Sequence, residues 1–245
     1  VIPTFKGEIP YLTTEQMIEV DRAMMEDFKI ELIQMMENAG RNLAHLARKR
    51  FFSGNALGKQ VVILAGPGGN GGGALVCARR LHIYGAQVQV YLSRNDEFFK
   101  PVPARQLDIL RRMGLPVYPA EAIATVAPAE LIIDGLIGYS LRGAPRGATA
   151  QLIRWANAQE SAILSLDAPS GVDTTTGMVF DPAIQATATM TLALPKEGLR
   201  APGMEQLVGE LYLADISVPA ELYTAPGLGL QVPQLFDKSD IVRLS

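Results

Sequence analysis

The 245-residue chain has one cysteine, two histidines and no long apolar run. A single cysteine, Cys77, excludes an intramolecular disulfide. Its place on the apolar side of a helical pattern reads as a buried, inert thiol. His45 and His82 stand apart, and no Cys/His cluster has zinc spacing, so both read as structural. No stretch of 18 apolar residues exists and the N-terminus does not read as a signal peptide, so no membrane partner is expected. Net charge is −3, with no basic block and no interleaving of aromatic and basic residues, which argues against nucleic acid as partner. Neither a Gly-x-Ser-x-Gly nucleophile elbow nor a Gly-Lys-Ser/Thr phosphate loop is present. Repeats, linkers and low-complexity tracts are absent as well. The cytoplasm, or an organelle matrix, is the expected location.

What remains is a chain with 48% hydrophobic and 19% charged residues, enough for one full core. Thr13 and Gln16 form a capping-box pair ahead of a helical pattern through Met17, Val20, Met24 and Phe28. A second helix is predicted over about 31–51. Strand-like runs at 60–65, 87–92, 131–136, 162–166, 188–194 and 211–216 alternate with helical runs at 70–84, 102–113 and 148–158. That alternation predicts a three-layer α/β/α Rossmann-like sandwich with a mostly parallel sheet. We read one domain: a two-helix N-terminal extension over about 12–52, a core over about 60–218 and a C-terminal tail over 219–245. The methionine stripe of the extension (Met17, Met24, Met25, Met35, Met36) reads as core or subunit contact, and a homodimer is the expected assembly.

The densest signal follows the first core strand. Gly66 to Gly73 holds six glycines in eight residues, and Asn70 is the one polar side chain among them. A strand, a bare turn and a helix N-terminus make a concave set of backbone N–H groups suited to an anion. Ligands of open α/β sheets bind beyond the carboxyl ends of the strands. Other strands end in Asp134-Gly135-Leu136-Ile137-Gly138 and in Asp167-Ala168-Pro169-Ser170-Gly171. Singly, Asp134 could be a helix cap and Asp167 a turn former; together, after strands, they favour a site. Gly66-x-Gly68-x-x-Gly71 formally matches the dinucleotide fingerprint. The second strand runs into Ser93-Arg94 instead of an acid, so an ordinary NAD fingerprint is poorly met and Arg94 reads as a solvated loop charge. Gly138 to Gly147, with Arg142 and Arg146, reads either as a loop that lies over bound phosphates or as a mobile surface connection.

These segments resemble the YjeF N-terminal domain family, the NAD(P)H-hydrate epimerases. The family's Gly-Pro-Gly-Asn-Asn-Gly-Gly-Asp-Gly is similar to Gly66 through Ala74. Its Asp-Ala-Leu-Phe-Gly and Asp-Ile-Pro-Ser-Gly are similar to 134–138 and 167–171. Met35 through Gly40 and Leu194 through Leu199 match its other two segments, and the likeness runs from about residue 12 to 218. The resemblance implies interconversion of the R and S forms of NADH or NADPH hydrated at C6. It implies a potassium ion held by Asn70, Asp134 and Ser170. It implies substrate contacts from Gly69, Asn70, Gly71, Gly72 and Gly73, from Gly138, Tyr139, Ser140, Leu141, Arg142, Gly143 and Ala144, and from Asp167. Asp167 is the expected proton carrier. The closing residues 239–244 resemble the end of single-domain members, so the dehydratase that consumes the S hydrate is expected on a separate chain.

Within the glycine segment three positions depart from the family pattern: Gly69 for Asn, Gly73 for Asp and Ala74 for Gly. The loss of a loop carboxylate leaves two other readings open. One is a non-catalytic nucleotide-binding or scaffold protein on the same fold. The other is an NADP-dependent oxidoreductase, for which the formal fingerprint and Arg94 speak. Against it, no Tyr-x-x-x-Lys set is present, and Tyr139 and Lys196 lie far apart in sequence.

Overall fold

In a computed structural model, which describes residues 2–126 and 129–245, the apolar runs form the middle of a nine-stranded sheet. In chain order the elements are β1 (Thr4–Phe5), α1 (Thr14–Glu26), α2 (Leu32–Phe51), β2 (Gln60–Ala65), α3 (Gly69–Ile83), β3 (Gln87–Leu92), α4 (Pro101–Arg112) and β4 (Val117–Pro119). They continue with β5 (Leu131–Gly135), α5 (Gly147–Asn157), β6 (Ala162–Leu166), β7 (Ala188–Leu192), the single turn α6 (Glu205–Val208), β8 (Glu210–Ala214), the short α7 (Ala220–Thr224) and β9 (Ile241–Leu244). The strand order is β1-β9-β8-β7-β6-β5-β2-β3-β4. All neighbours are parallel except β8 and β9. The expected Rossmann-like sandwich with its mostly parallel sheet is therefore the fold observed.

Alternation within the strands sets the layers. Val61, Ile63 and Ala65 of β2 pack with Leu43 and Leu46 of α2, Leu75 and Cys77 of α3, and Leu107 and Leu110 of α4. Val62 and Leu64 face the other way, onto Leu152, Ile153 and Ala156 of α5. Strands buried on both faces have no polar face to show, which is why their sequences read as continuous apolar runs. Helix α1 covers the far edge, against Leu213, Val242, Leu222 and Tyr223. Its start carries the expected reciprocal cap: Gln16 N–H donates to Thr13 Oγ1 at 3.2 Å, and Thr13 N–H to Gln16 Oε1 at 2.9 Å.

The chain leaves β2 toward β3 and β4 on one side and comes back to β5 on the other. That reversal opens a crevice beyond β2 and β5, where such sheets bind ligands. Three strands stop earlier than their apolar pattern. Strand β5 ends at Gly135 because Leu136 N–H turns back onto the Asp134 carboxylate, and β7 ends at Leu192 because Ala193 has a φ of 60°. Strand β8 ends at Ala214, and Ser217 N–H folds onto Asp215 Oδ1. Strands β1, β4 and β9 carry too few residues to show alternation in sequence. Among the described residues no helix is long and apolar enough to cross a membrane.

Helices α2 and α3 approach closely at Gly40, where a Cβ would run into Val76 and the Gly73 carbonyl. A second tight contact joins α3 to β5. A Cβ on Gly135 would fall on the Ala74 methyl. The resembled family pattern has the reverse arrangement, glycine at position 74 and alanine at position 135. The two methyls compete for one space, although a Cβ on Gly135 would also lie 3.2 Å from the Asn70 carbonyl and 3.3 Å from that of Leu64. Gly135→Ala alone should therefore destabilise by about 1–3 kcal/mol through overpacking. Ala74→Gly alone should cost about 1–2 kcal/mol in lost packing and helix propensity. Combining them should recover most of the overpacking loss. Urea unfolding of the four proteins as a double-mutant cycle measures this, and purely additive losses would show that the two methyls do not share one space.

Candidate active site

The register puts Asp134 of β5 level with Leu64 of β2 and Ser165 of β6. Its carboxylate is fully buried and is the hub of the rim. Oδ1 accepts from Ser170 Oγ at 2.6 Å and Leu136 N at 3.2 Å, and Oδ2 accepts from Ser165 Oγ at 2.8 Å and Ser170 N at 2.9 Å. Burial raises its pKa, and the donors from Ser170, Ser165 and Leu136 work against that. Ser170 Oγ in turn accepts Ile137 N–H at 2.9 Å. The turns after β5 and β6 are thus tied together at their roots.

Asp167 follows β6 with a φ of 67°, a left-handed conformation that Asp tolerates better than most residues, and its N–H donates to Met190 O at 2.7 Å. The strained backbone aims the carboxylate across the rim. Oδ1 pairs with Lys196 Nζ, and Oδ2 accepts Tyr139 N–H at 3.0 Å. Lys196 has no exposed surface, and its ammonium also donates to Leu192 O at 2.8 Å and Thr191 Oγ1 at 3.2 Å. A Cβ on Gly138 would lie 3.0 Å from Asp167 Oδ2 and 3.1 Å from Asn70 Oδ1. The bare backbone of Gly138 is what lets these two polar groups flank one spot.

A cavity of about 250 Å³ opens over that spot. Gly69, Asn70, Gly73, Gly138, Tyr139, Ser140 and Asp167 form one side. The other side comes from the N-terminal helices: Met17, Asp21 and Met25 at helical spacing on α1, and Leu32, Met35, Met36 and Ala39 on α2. The methionine stripe is thus a cavity wall as well as core, a role its spacing alone did not show; Met24 alone of the five is left wholly in the core. Tyr139 OH donates to Asp21 Oδ2. Burial raises the pKa of Asp21, while the Tyr139 hydrogen bond and the charge of Lys196 lower it. Burial, then the nearby Asp21 carboxylate, pushes the Tyr139 phenol up.

The glycine segment is not an open loop. Gly69 to Gly73 are the first turns of α3, one residue earlier than the periodicity predicts. Gly71 packs onto the Gly66 backbone, Gly72 meets Met36, and only Gly69, Asn70 and Gly73 face the cavity. A Cβ at Gly73 would lie 2.7 Å from Leu166 Cδ2, a side-chain tip that can swing aside, and one at Gly69 would meet nothing. Leu141, Arg142, Gly143 and Ala144 lie beyond Ser140 around a second hollow of about 460 Å³, which Arg94 and Arg146 also line. No ion pair involves these three arginines among the described residues. Arg94, read in sequence as a plain solvated charge, thus joins Arg142 and Arg146 at one cationic hollow, while also lying over the Phe98 ring.

Sequence reasoning passed over Asp21 and gave Lys196 no role. The signal for Asp21 was a carboxylate interrupting the Met17–Met25 stripe. The signal for Lys196 was a lysine closing an apolar run, Leu192 to Pro195. Cys77 is fully buried and its thiol pKa is raised by burial, as an inert thiol requires. His45 bonds Tyr84 OH at 3.2 Å, a structural contact.

The three residues expected to hold potassium suit an alkali cation. Asn70, Asp134 and Ser170 are all oxygen donors. Asp134 is a buried carboxylate with no ion-pair partner among the described residues, and the Asn70 amide nitrogen is buried without a hydrogen-bond partner. Turning that amide over would put its oxygen in the unpartnered place. Among the described residues no group of three or more His, Cys, Asp or Glu side chains is placed to hold a metal ion.

Fold and rim together define a Rossmann-like protein whose site sits at the switch point between β2 and β5. The chain belongs to the family described as YjeF-related protein N-terminus, whose model matches residues 32–198. It is 42% identical over 230 residues to an NAD(P)H-hydrate epimerase of Dehalogenimonas lykanthroporepellens, spanning 92% of this chain and 89% of that protein. It is 34% identical to the bifunctional NAD(P)H-hydrate repair enzyme Nnr of Moorella thermoacetica, of which the matched part covers 41%. The crystal structure of yeast ynu0 superposes with a TM-score of 0.82 at 24% identity, over 96% of this chain and 100% of that one, and shows the same fold.

The Lys196–Asp167 pair carries a stability prediction. Removing one member of a buried pair leaves the other charge uncompensated. Lys196→Met should destabilise by about 3–5 kcal/mol. The double variant Lys196→Met/Asp167→Asn should be more stable than Lys196→Met alone. Guanidinium unfolding measures both, and a Lys196→Met protein within about 1 kcal/mol of the natural one would refute the pair's importance.

Proposed function

We propose that this chain is an NAD(P)H-hydrate epimerase, an isomerase acting in repair of hydrated nicotinamide nucleotides. The observation that carries the reading is the Asp167 carboxylate, fixed by Lys196 in the lining of a largely apolar cavity and facing bare backbone at Gly138. Similarity over nearly the whole length of a relative with that name supports it. The cavity suits a hydrated nicotinamide ring. The neighbouring hollow, with Arg94, Arg142 and Arg146, suits the phosphates, helped by the unpaired N–H groups at the start of α3.

The ring nitrogen lone pair expels the C6 hydroxyl as water, and water adds back from the other face. Proton transfer at the departing and arriving oxygen limits such a reaction, and Asp167 is the group proposed to carry the proton. Tyr139 N–H and Lys196 hold its carboxylate in place while the substrate is exchanged. Asn70, Asp134 and Ser170 are the proposed potassium ligands. When bound, the ion supplies a counter-charge to the buried Asp134 carboxylate. A separate dehydratase is the proposed consumer of the S hydrate.

Retention of the rim residues speaks against the scaffold reading despite Gly73. For the oxidoreductase reading, Tyr139 and Lys196 both come to the site, but they bind different carboxylates: Tyr139 OH binds Asp21, and Lys196 binds Asp167. No hydride-transfer pair results from them.

Chromatography of NADPH hydrate purified as the R form tests the proposal. In potassium buffer the protein should speed relaxation to the R/S mixture above the spontaneous rate, and Asp167→Asn should lower kcat by about 10²–10⁴-fold. Replacing potassium by tetramethylammonium should slow the natural protein. An unchanged relaxation rate over a wide range of enzyme would reject the catalytic reading and favour the scaffold one.

A further inference from the structure

By loss and return of water, epimerisation at C6 takes oxygen off one face of the ring and puts it back on the other. One proton carrier serves one face well. Two carboxyl groups from different elements, Asp21 and Asp167, line the cavity, and only Asp167 has a role so far. We infer that Asp21 is the second catalytic acid–base group, giving its proton to the hydroxyl that departs on the face opposite Asp167.

The inference rests on the epimerase reading and on geometry. Asp21 stands on α1, four residues after Met17 and four before Met25, and all three line the same cavity as Asp167. The residues that α2 presents to the cavity are apolar. The charged and titratable groups toward it come from elsewhere: Tyr139 after β5, Asp167 after β6, Lys196 after β7, and Lys100 at the start of α4. Arg22, its neighbour in sequence, is occupied with Glu19, Glu26 and Asp27. Tyr139 OH donates to Oδ2, which leaves Oδ1 as the oxygen that can carry a proton.

The environments divide the work. Asp167 has a lysine ammonium and a backbone N–H as direct partners. Asp21 has only a phenol, and burial raises its pKa. Two carboxyl groups in contrasting surroundings are a recurrent arrangement for an acid and a base. In the forward step the C6–O bond breaks as the hydroxyl takes the Asp21 proton and leaves as water, and the N1 lone pair forms an N1=C6 cation. A water then adds on the other face, forming the new C6–O bond, and passes a proton to Asp167. Water bound to such a cation is strongly acidic, so a paired carboxylate suffices as its base. The reverse reaction runs the same protons backward. Between turnovers exchange with solvent restores both groups.

The test measures kcat, KM and pH–rate profiles for R-to-S conversion in the natural protein, Asp21→Asn and Asp21→Glu, with thermal unfolding as a check of folding. The natural protein should lose rate as pH rises and Asp21 ionises. Asp21→Asn should lower kcat at least about 10²-fold with KM changed by less than about threefold, and should lack that alkaline decline. Asp21→Glu should recover part of kcat and the decline with it. If Asp21→Asn does not fold, the Asp21→Glu profile decides, because moving the carboxyl by one methylene should shift the alkaline limb. An Asp21→Asn protein within threefold of natural kcat overturns the inference, as does a slowed one whose pH profile keeps its shape. Either result leaves the epimerase reading standing. Only a natural protein that fails to relax the hydrate removes both.

Discussion

The buried carboxylate of Asp134 is the constraint on which the site depends. An anion removed from water costs several kcal/mol unless its oxygens are satisfied. Here four donors from Ser165, Ser170 and Leu136 do that, and three of them lie on the rim segments themselves. Satisfying the anion therefore fixes where β5 ends, where the turn after β6 lies and where Ser170 points. Gly138 and Tyr139 are carried on the first of those turns and Asp167 on the second, so their meeting is a consequence of the same knot.

Around that knot the polar groups fall into two settings. Asp167 is bonded to an ammonium and to a backbone N–H, while Asp21 faces a phenol among methionines. The difference comes from chain topology. Lys196 reaches Asp167 because β7 lies beside β6, whereas Asp21 arrives on a helix packed against β8, β9 and α7. The apolar wall of α1 and α2 narrows the dielectric around both groups, which strengthens every interaction inside it.

Much of this was legible in the sequence because it is local. The run Val61–Leu64 is β-branched and apolar, so β2 was read with its observed ends, and Thr13 with Gln16 announced α1. Asp134 and Asp167 stood out because one closes a strand and the other follows one, and strand ends are where parallel sheets place their chemistry. What escaped depends on contacts between distant segments. Lys196 is bonded to Asp167 only once β6 and β7 are paired. Asp21 reads in sequence as the polar border of an amphipathic helix; it becomes a cavity residue only because α1 and α2 fold over the rim. The three arginines of the second hollow come from two loops that no spacing rule connects. Strand β9 was missed for the same reason, since its four residues acquire meaning from β8 and β1.

The Ala74–Gly135 contact bears on how departures from a family pattern should be weighed. Compared one position at a time, Ala74 and Gly135 are two separate deviations, and the first sits in the most diagnostic segment of the chain. In space they are a single exchange of one methyl across a helix–strand seam. Neither then says anything about lost function. The exchange also has a favoured history. A missing methyl generally costs less than two methyls forced into one space, so the passage between the two arrangements runs more easily through a sequence with glycine at both places.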